Sequence, residues 1–236
     1  DRINSDAEDD KELNIVSLGG GPGFDHVAFC SVLLFLSNMN DIDDNDSNSG
    51  LRVKLKTKVF DLFGEWEQVM LTMDQSLANS VQTIYDQFQV GGNIPKNDTT
   101  DDKIKVDLFH PGGLSFHLCD IRERIHSKAN EELDDAMTDA DIVVFQFVMH
   151  ENSSVLLSDS DSAHDGPPLL KGAARDILET ARVGTIMICT DSHSFVWPSL
   201  KATAKTYGWN YFGVMERGSK ISFGPKQFVL LERTRQ

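Results

Sequence analysis

Short, mostly apolar runs alternate along the chain with longer segments whose apolar residues recur at helical spacing. An apolar run bounded by glycines or polar residues is typical of a strand buried on both faces of a sheet. Strands are predicted over residues 13–18, 53–62, 114–120, 141–149, 184–190, 211–216 and 227–232. Helices are predicted over residues 24–36, 65–89, 169–182 and 197–207. The segment 103–109 (KIKVDLF) fits either an irregular stretch or an extra strand.

The alternation of strands and helices predicts an α/β fold with a doubly wound, mostly parallel sheet of seven strands. Gly218 and the Gly224-Pro225 turn separate the last two strands, a pattern typical of an antiparallel hairpin at the end of the chain. Ligands of such sheets bind beyond the carboxyl ends of the strands, where the strand order reverses. The residues that directly follow the predicted strands are therefore the candidates for chemistry.

Length and composition indicate one folded domain. Of the 236 residues, 40% are hydrophobic and 25% charged, as in a globular protein. We assign residues 13–236 to the domain and residues 1–12 to an acidic tail or the end of a longer segment. No apolar run approaches the roughly 20 residues of a membrane span, so no membrane partner is expected. The three cysteines form no CxxC pair, which favours free thiols and an intracellular compartment, cytoplasmic or nuclear.

A glycine-rich turn follows the first predicted strand directly. Gly19, Gly21 and Gly23 have the spacing GxGxG, and a helix is predicted immediately after them. A dinucleotide-binding GxGxxG motif would need a third glycine at position 24, which is Phe24, so binding of NAD is disfavoured. Glycines are expected here because the turn is tight and a ligand would approach the backbone closely. A glycine turn that joins strand to helix without any ligand is the alternative.

The segment SLGGGPGFD, together with the predicted closing hairpin, resembles the class I S-adenosylmethionine-dependent methyltransferases, and the resemblance extends over about residues 13–233. It implies that the turn holds the methionine end of S-adenosylmethionine. The residues concerned are Ser17, Gly19, Gly20, Gly21, Gly23 and Asp25. The sequence departs from the family at Ser17, where an acidic residue is often found. We expect Asp25 to take over the contact with the cofactor amino group.

The resemblance also assigns roles to residues at three later strand ends. Asp61 is expected to accept hydrogen bonds from the two ribose hydroxyls, and Asp120 from the adenine amino group, with the amide of Ile121 facing the ring. For both aspartates, capping of a following helix is the alternative. Gln146 begins the segment that faces the sulfonium and the acceptor. This segment is not the Asn/Asp-Pro-Pro-Tyr signature of enzymes that methylate adenine amino groups.

Three residues are candidates for catalysis. Methyl transfer requires an aligned acceptor and, where the acceptor is protonated, a base. His150 is the first candidate because its ordinary pKa lies near neutrality, and Glu151 is its neighbour. Asp191 begins a polar segment after the fifth strand that would bind the acceptor. Capping or packing is the alternative for His150. No spacing indicates a hydrolase triad. Asp191 and His193 are a weak indication of a metal site, because no second cluster of ligands accompanies them.

The sequence therefore predicts a methyltransferase that acts on a nitrogen or oxygen of a small molecule or protein side chain. Two alternatives stay open. RNA methylation would need a basic face, and the net charge of −15 disfavours one unless Lys54, Lys56 and Lys58 join other basic residues in space. The second alternative is an inactive, methyltransferase-like binding module. The acceptor itself does not follow from the sequence.

Overall fold

The computed structural model describes residues 11–40, 53–76, 113–158, 166–212 and 228–235. The segment 103–109, the second half of the predicted helix 65–89 and most of the predicted strand 211–216 lie outside these residues. Within the described ranges, no helix is both long enough and apolar enough to cross a membrane.

Six of the predicted strands have counterparts among the described residues, and the prediction 211–216 overlaps the observed β6 only at Tyr211. The strands are β1 (Lys11–Leu18), β2 (Val53–Asp61), β3 (Leu114–Leu118), β4 (Ile142–Gln146), β5 (Ile186–Thr190), β6 (Trp209–Tyr211) and β7 (Phe228–Arg233). The helices are α1 (Phe24–Asn40), α2 (described over residues 66–76), α3 (Glu131–Met137), α4 (Val148–Glu151), α5 (Ser153–Leu156), α6 (Gly172–Thr180) and α7 (Trp197–Thr206). A single 3₁₀ turn, Lys128–Asn130, precedes α3.

The strands form one seven-stranded sheet in the order β3-β2-β1-β4-β5-β7-β6. The first five strands are parallel, and β7 runs antiparallel between β5 and β6. In the register, Ile15 of β1 lies between Thr57 and Ile142, and Cys189 of β5 lies opposite Val229 of β7. The predicted α/β fold, the seven strands and the antiparallel hairpin strand are confirmed. The strand order reverses at β1 and β4, so the carboxyl ends of these strands flank the crevice.

Apolar side chains cover both faces of the sheet, as the continuous apolar runs predicted. On one face, Ile15, Leu55 and Val144 pack against Cys30 of α1. On the other face, the larger cluster joins strand residues such as Phe145 to apolar residues of α3, α6 and α7. All three cysteines are free and buried.

The fourth strand is shorter than the sequence predicted. The strand ends at Gln146, and the apolar run continues into the helical turn α4. Phe147 stands between them with a φ of 59°, the one positive φ of a non-glycine residue among the described residues. Its amide donates to the carbonyl of Thr190 (2.9 Å). The prediction of strand to residue 149 was wrong because Met149, buried in the helical turn, keeps the run apolar.

Candidate functional site

A cavity of about 330 Å³ lies at the carboxyl ends of β1 to β4. Its volume falls within the range of small-molecule sites, roughly 300 to 1,000 Å³. Both apolar and charged side chains line it. The lining residues are Leu18, Gly19, Phe60, Asp61, Leu62, Phe63, Cys119, Asp120, Ile121, Arg122, Gln146, Phe147, Val148, Glu151 and Asn152. The structure thus brings six of the sequence-predicted site residues together, namely Gly19, Asp61, Asp120, Ile121, Gln146 and Glu151.

The glycine turn is built for close contact within the protein. Gly19 has a φ of 68°, and a Cβ there would lie 2.0 Å from Val148 Cγ1 and 2.8 Å from the carbonyl oxygen of Gln146. At Gly20, a Cβ would lie 2.2 Å from Ser17 Oγ. A Cβ at Gly23, whose φ is 87°, would meet apolar side chains at 3.3–3.4 Å. At Gly19, Gly20 and Gly23, the atoms that an added Cβ would meet belong to the chain itself.

Gly21 differs from its neighbours. Its φ is 52°, but the nearest atom to an added Cβ is Trp66 Cε2, at 3.9 Å. Only the left-handed backbone conformation therefore demands glycine there, because an added Cβ would make no more than an ordinary van der Waals contact. Gly20, Gly21 and Gly23 are not among the residues that line the cavity.

Ser17 and Asp25 form a buried pair behind the glycine turn. The Ser17 hydroxyl donates to Asp25 Oδ2 at 2.6 Å, and the two residues are 0% and 8% exposed. Burial raises the pKa of Asp25, and the hydrogen bond from Ser17 partly opposes that increase. Neither residue lines the cavity. The pair ties the end of β1 to the start of α1, which fixes the shape of the turn between them.

Asp61 ends β2 and points one carboxylate oxygen at its own chain. Oδ1 accepts a hydrogen bond from the amide of Phe63 (3.0 Å), and Oδ2 has no hydrogen bond among the described residues. The helical residues begin at position 66, so Asp61 closes a turn and does not cap α2. One oxygen of this half-buried carboxylate therefore remains available to a ligand in the cavity.

Asp120 follows β3 and pairs with a residue that the sequence did not single out. Arg122 donates from Nε to Oδ1 (2.7 Å) and from Nη2 to Oδ2 (2.6 Å), in a two-pronged ion pair. The hydrogen bonds from the Arg122 side chain lower the pKa of Asp120, although partial burial opposes them. Asp120 thus stays ionised and fixed in orientation.

The buried side chain of Asn130 holds the main chain at Asp120. Its Oδ1 accepts from the Asp120 amide (2.9 Å), and its Nδ2 donates to the carbonyls of Asp120 (2.9 Å) and Arg124 (3.1 Å). Asn130 is 1% exposed. Next along the chain, Ile121 is buried and its carbonyl accepts from the amide of Ala173 on α6 (3.3 Å). Together these bonds set the backbone where β3 opens into the cavity.

His150 and Asp191 lie next to each other and outside the cavity. The buried Asp191 accepts from the His150 amide through Oδ2 and from the Ser192 amide through Oδ1, both at 2.7 Å. The His150 ring lies 4.2 Å from the ring of His193 and 5.0 Å from that of Phe195, between centroids. Its Nδ1 is buried and has no hydrogen bond. Asp191 therefore anchors the backbone of α4, and the ring of His150 packs among other rings.

Glu151 and Gln146 are the polar residues that β4 and α4 present to the cavity. Glu151 is exposed and Gln146 is half-buried. Phe147, 49% exposed, also faces the cavity from its left-handed position. Holding a phenylalanine there costs of order 1–3 kcal/mol, and such strain is often found at functional sites. Among the described residues, no group of three or more His, Cys, Asp and Glu side chains could hold a metal ion.

Two lysines of β2 lie close to acidic side chains. Lys56 and Lys58 border a small pocket together with Glu12, Asp135 and Asp139, and Lys56 pairs with Glu12 at 3.4 Å. These lysines therefore do not form a continuous basic surface with one another.

The strand order, with one antiparallel strand inserted beside the edge, decides the fold. This is the sheet of the class I methyltransferases. No protein-family model and no curated protein matches the sequence.

The solved structures to which the chain is similar share little sequence with it. An rRNA methylase from Streptococcus thermophilus is 12% identical, with 96% of this chain and 89% of that chain covered and a TM-score of 0.45. A TehB-like SAM-dependent methyltransferase from Corynebacterium glutamicum is 11% identical, with 98% and 84% covered and a TM-score of 0.41. The [4+2]-cyclase SpnF is 9% identical, with 86% of this chain covered and a TM-score of 0.38. The chain spans about half of its length, 54%. Similarity at this level carries no argument about reaction or acceptor, which have to be argued from the site.

Proposed function

We propose that the chain is an S-adenosylmethionine-dependent methyltransferase that acts on a nitrogen or oxygen of a small molecule or protein side chain. The observation that carries the proposal is the cavity at the reversal of strand order, where Asp61 and Asp120 face apolar walls. Bound S-adenosylmethionine would supply the methyl group. The residues fit an adenosine, because carboxylates suit hydroxyl and amino donors and the apolar side chains suit the ring.

The roles of the individual residues follow from their position in the cavity. The free oxygen of Asp61 would accept from ribose hydroxyls, and Asp120 would accept from the adenine amino group. Gln146 and Glu151 lie at the β4 side and would meet the acceptor. Glu151 is the side chain in the cavity able to accept a proton from the acceptor there, whereas His150 lies outside it. We therefore assign the base to Glu151.

Binding is tested first. S-adenosylhomocysteine should raise the thermal midpoint of the wild-type protein, and NAD should not, since binding to the native state stabilises by about 2.7 kcal/mol at a hundredfold excess over Kd. Asp61→Ala should weaken the shift strongly. Asp139→Ala is the matched control, an exposed aspartate outside the cavity. A shift with NAD alone, or equal shifts in the two variants, would contradict the proposal.

Activity is tested by measuring methyl transfer from S-adenosylmethionine to a panel of small-molecule and protein acceptors. Glu151→Gln should reduce turnover while leaving the affinity for S-adenosylhomocysteine nearly unchanged, because the carboxylate acts on the acceptor. Firm cofactor binding without turnover on any acceptor would instead favour the inactive binding module. RNA belongs in the panel, although the acidic neighbours of Lys56 and Lys58 do not favour it.

A further inference from the structure

Asp120 and Arg122 form a two-pronged ion pair in the lining of the cavity. Oδ1 of Asp120 accepts two hydrogen bonds, from the Arg122 main-chain amide (3.1 Å) and from Nε (2.7 Å). Oδ2 accepts one, from Nη2 (2.6 Å). The Arg122 side chain is 48% exposed and that of Asp120 is 20% exposed. The guanidinium thus holds the carboxylate in place without burying it.

The hydrogen-bonding capacity of this carboxylate can be counted. An ionised carboxylate accepts at about four positions, two on each oxygen, and donates none. Arg122 and its amide fill three of these positions, both on Oδ1 and one on Oδ2. One position therefore stays open, on Oδ2, and only a hydrogen-bond donor can use it.

We propose that Arg122 is a positioning residue that makes the cavity select a purine carrying an amino group over one carrying an oxo group at the same edge. This inference rests on the proposed function and assigns the base selectivity of the cofactor site to Arg122. An adenine amino group donates into the open position. The oxo group of hypoxanthine would place its own lone pairs against the carboxylate. Without the Arg122 side chain, Asp120 keeps only the hydrogen bond from the Arg122 main-chain amide, so its Oδ2 is no longer held and the carboxyl rotates or takes a proton more readily. Either change reduces the preference for the amino form.

Charge alone does not account for this selectivity. The other charged residues that line the cavity are Asp61 and Glu151, so Arg122 is its one cationic lining residue among the described residues. Replacing Arg122 makes the whole cavity more negative, which would alter the affinity of any charged ligand. Amino- and oxo-purine versions of one ligand carry the same charge and differ only at the edge concerned. The ratio of their dissociation constants therefore reports hydrogen bonding at that edge, where N1 also changes from acceptor to donor, and the dependence of the ratio on Arg122 reports the contact with Asp120.

The ratio is measured by titration calorimetry with S-adenosylhomocysteine and its deaminated analogue S-inosylhomocysteine. We expect the wild type to prefer the amino form about tenfold or more, since a hydrogen-bonding site rejects a ligand that leaves its group unpaired. Arg122→Gln should reduce the ratio about fivefold or more. Arg122→Lys should recover part of it, because lysine restores the charge but not the two-pronged geometry. Arg175→Gln, an exposed arginine on α6 outside the cavity, is the matched control and should leave the ratio unchanged.

The same titrations with adenosine and inosine separate this inference from the proposed function. If adenosine is preferred in an Arg122-dependent way but S-adenosylhomocysteine does not bind, the selectivity stands and the methyltransferase proposal fails. An unchanged ratio in Arg122→Gln, or a preference of the wild type for the oxo form, overturns the inference while leaving cofactor binding intact. Absence of binding by every one of the four ligands overturns both.

Discussion

Replacement of Gly19 by alanine tests how tightly the first turn is packed against the end of β4. A Cβ at position 19 would lie 2.0 Å from Val148 Cγ1 and 2.8 Å from the Gln146 carbonyl oxygen, and the residue has a φ of 68°. The left-handed conformation costs about 1–2 kcal/mol, and forced overlap in a packed region adds about 1–3 kcal/mol. We therefore expect Gly19→Ala to lower the free energy of unfolding by about 2–5 kcal/mol, or the thermal midpoint by about 10 °C.

Gly184→Ala is a matched control for the backbone term. Gly184 has a φ of 93°, and nothing lies within 4 Å of an added Cβ. The free energy of unfolding of Gly184→Ala should fall only by the cost of the left-handed conformation, about 1–2 kcal/mol. Both variants share any effect of alanine on the unfolded chain. Urea unfolding followed by circular dichroism measures the difference. Equal losses in Gly19→Ala and Gly184→Ala would refute the close approach at Gly19.

A second substitution separates the contributions of Val148 and of the Gln146 carbonyl oxygen to the overlap expected in Gly19→Ala. Val148→Ala removes the Cγ1 atom nearest to the added Cβ but leaves the Gln146 carbonyl oxygen in place. In a double-mutant cycle, Gly19→Ala should therefore be less costly in the Val148→Ala background than in the wild type. Strict additivity would show that Val148 is not the obstacle.

Three further substitutions probe buried polar groups. Because burial raises the pKa of Asp25, the folded state binds more protons than the unfolded state between the ordinary pKa, about 3.9, and the raised one, so stability falls as pH rises through that window. Asp25→Asn should abolish that fall in urea unfolding, since an amide oxygen still accepts from Ser17. Asn130→Ala leaves three main-chain groups without their hydrogen-bond partner and should lower the free energy of unfolding by about 2–4 kcal/mol. Asp191→Asn should cost about 1–3 kcal/mol by losing one acceptor for a backbone amide.

Each of these predictions has a result that contradicts it. A pH dependence unchanged in Asp25→Asn would mean that another group causes it. For Asn130, the control is Asn210→Ala, an exposed asparagine of β6, and similar losses in both variants would show that the bonds to Asp120 contribute little. If Asp191→Asn leaves the free energy of unfolding unchanged but abolishes turnover, Asp191 acts on the acceptor and does not serve to anchor the backbone.

The sheet followed from the sequence because apolar periodicity reports burial directly. Strands such as 13–18 and 184–190 were recognisable from their own residues, and the hairpin from its turn glycines. The exact end of β4 was not, because an apolar residue is buried equally well in a strand or in the helical turn that follows Phe147.

The site was only partly predictable. Position after a strand places a residue at the carboxyl edge of the sheet, but not on a given side of it. Glu151 and His150 are adjacent in sequence, yet Glu151 lines the cavity and His150 packs against His193. Arg122 lies in a loop without periodicity, and Asn130 is a polar residue that is buried although its type is usually exposed, so no local pattern marked either one. An arginine two residues after a strand-end aspartate is the signal that could have indicated the pair.

The placement of β7 between β5 and β6 has a consequence for how the molecule is assembled. Residues 228–233 join two strands that precede them in the chain, so β6 reaches the sheet only through a segment made later. During synthesis, β5 therefore presents an open hydrogen-bonding edge until β7 has left the ribosome. Domains that emerge N-terminus first are most vulnerable to wrong pairing at such an edge. A nascent chain halted before residue 228 is accordingly expected to be a better chaperone client than the finished protein.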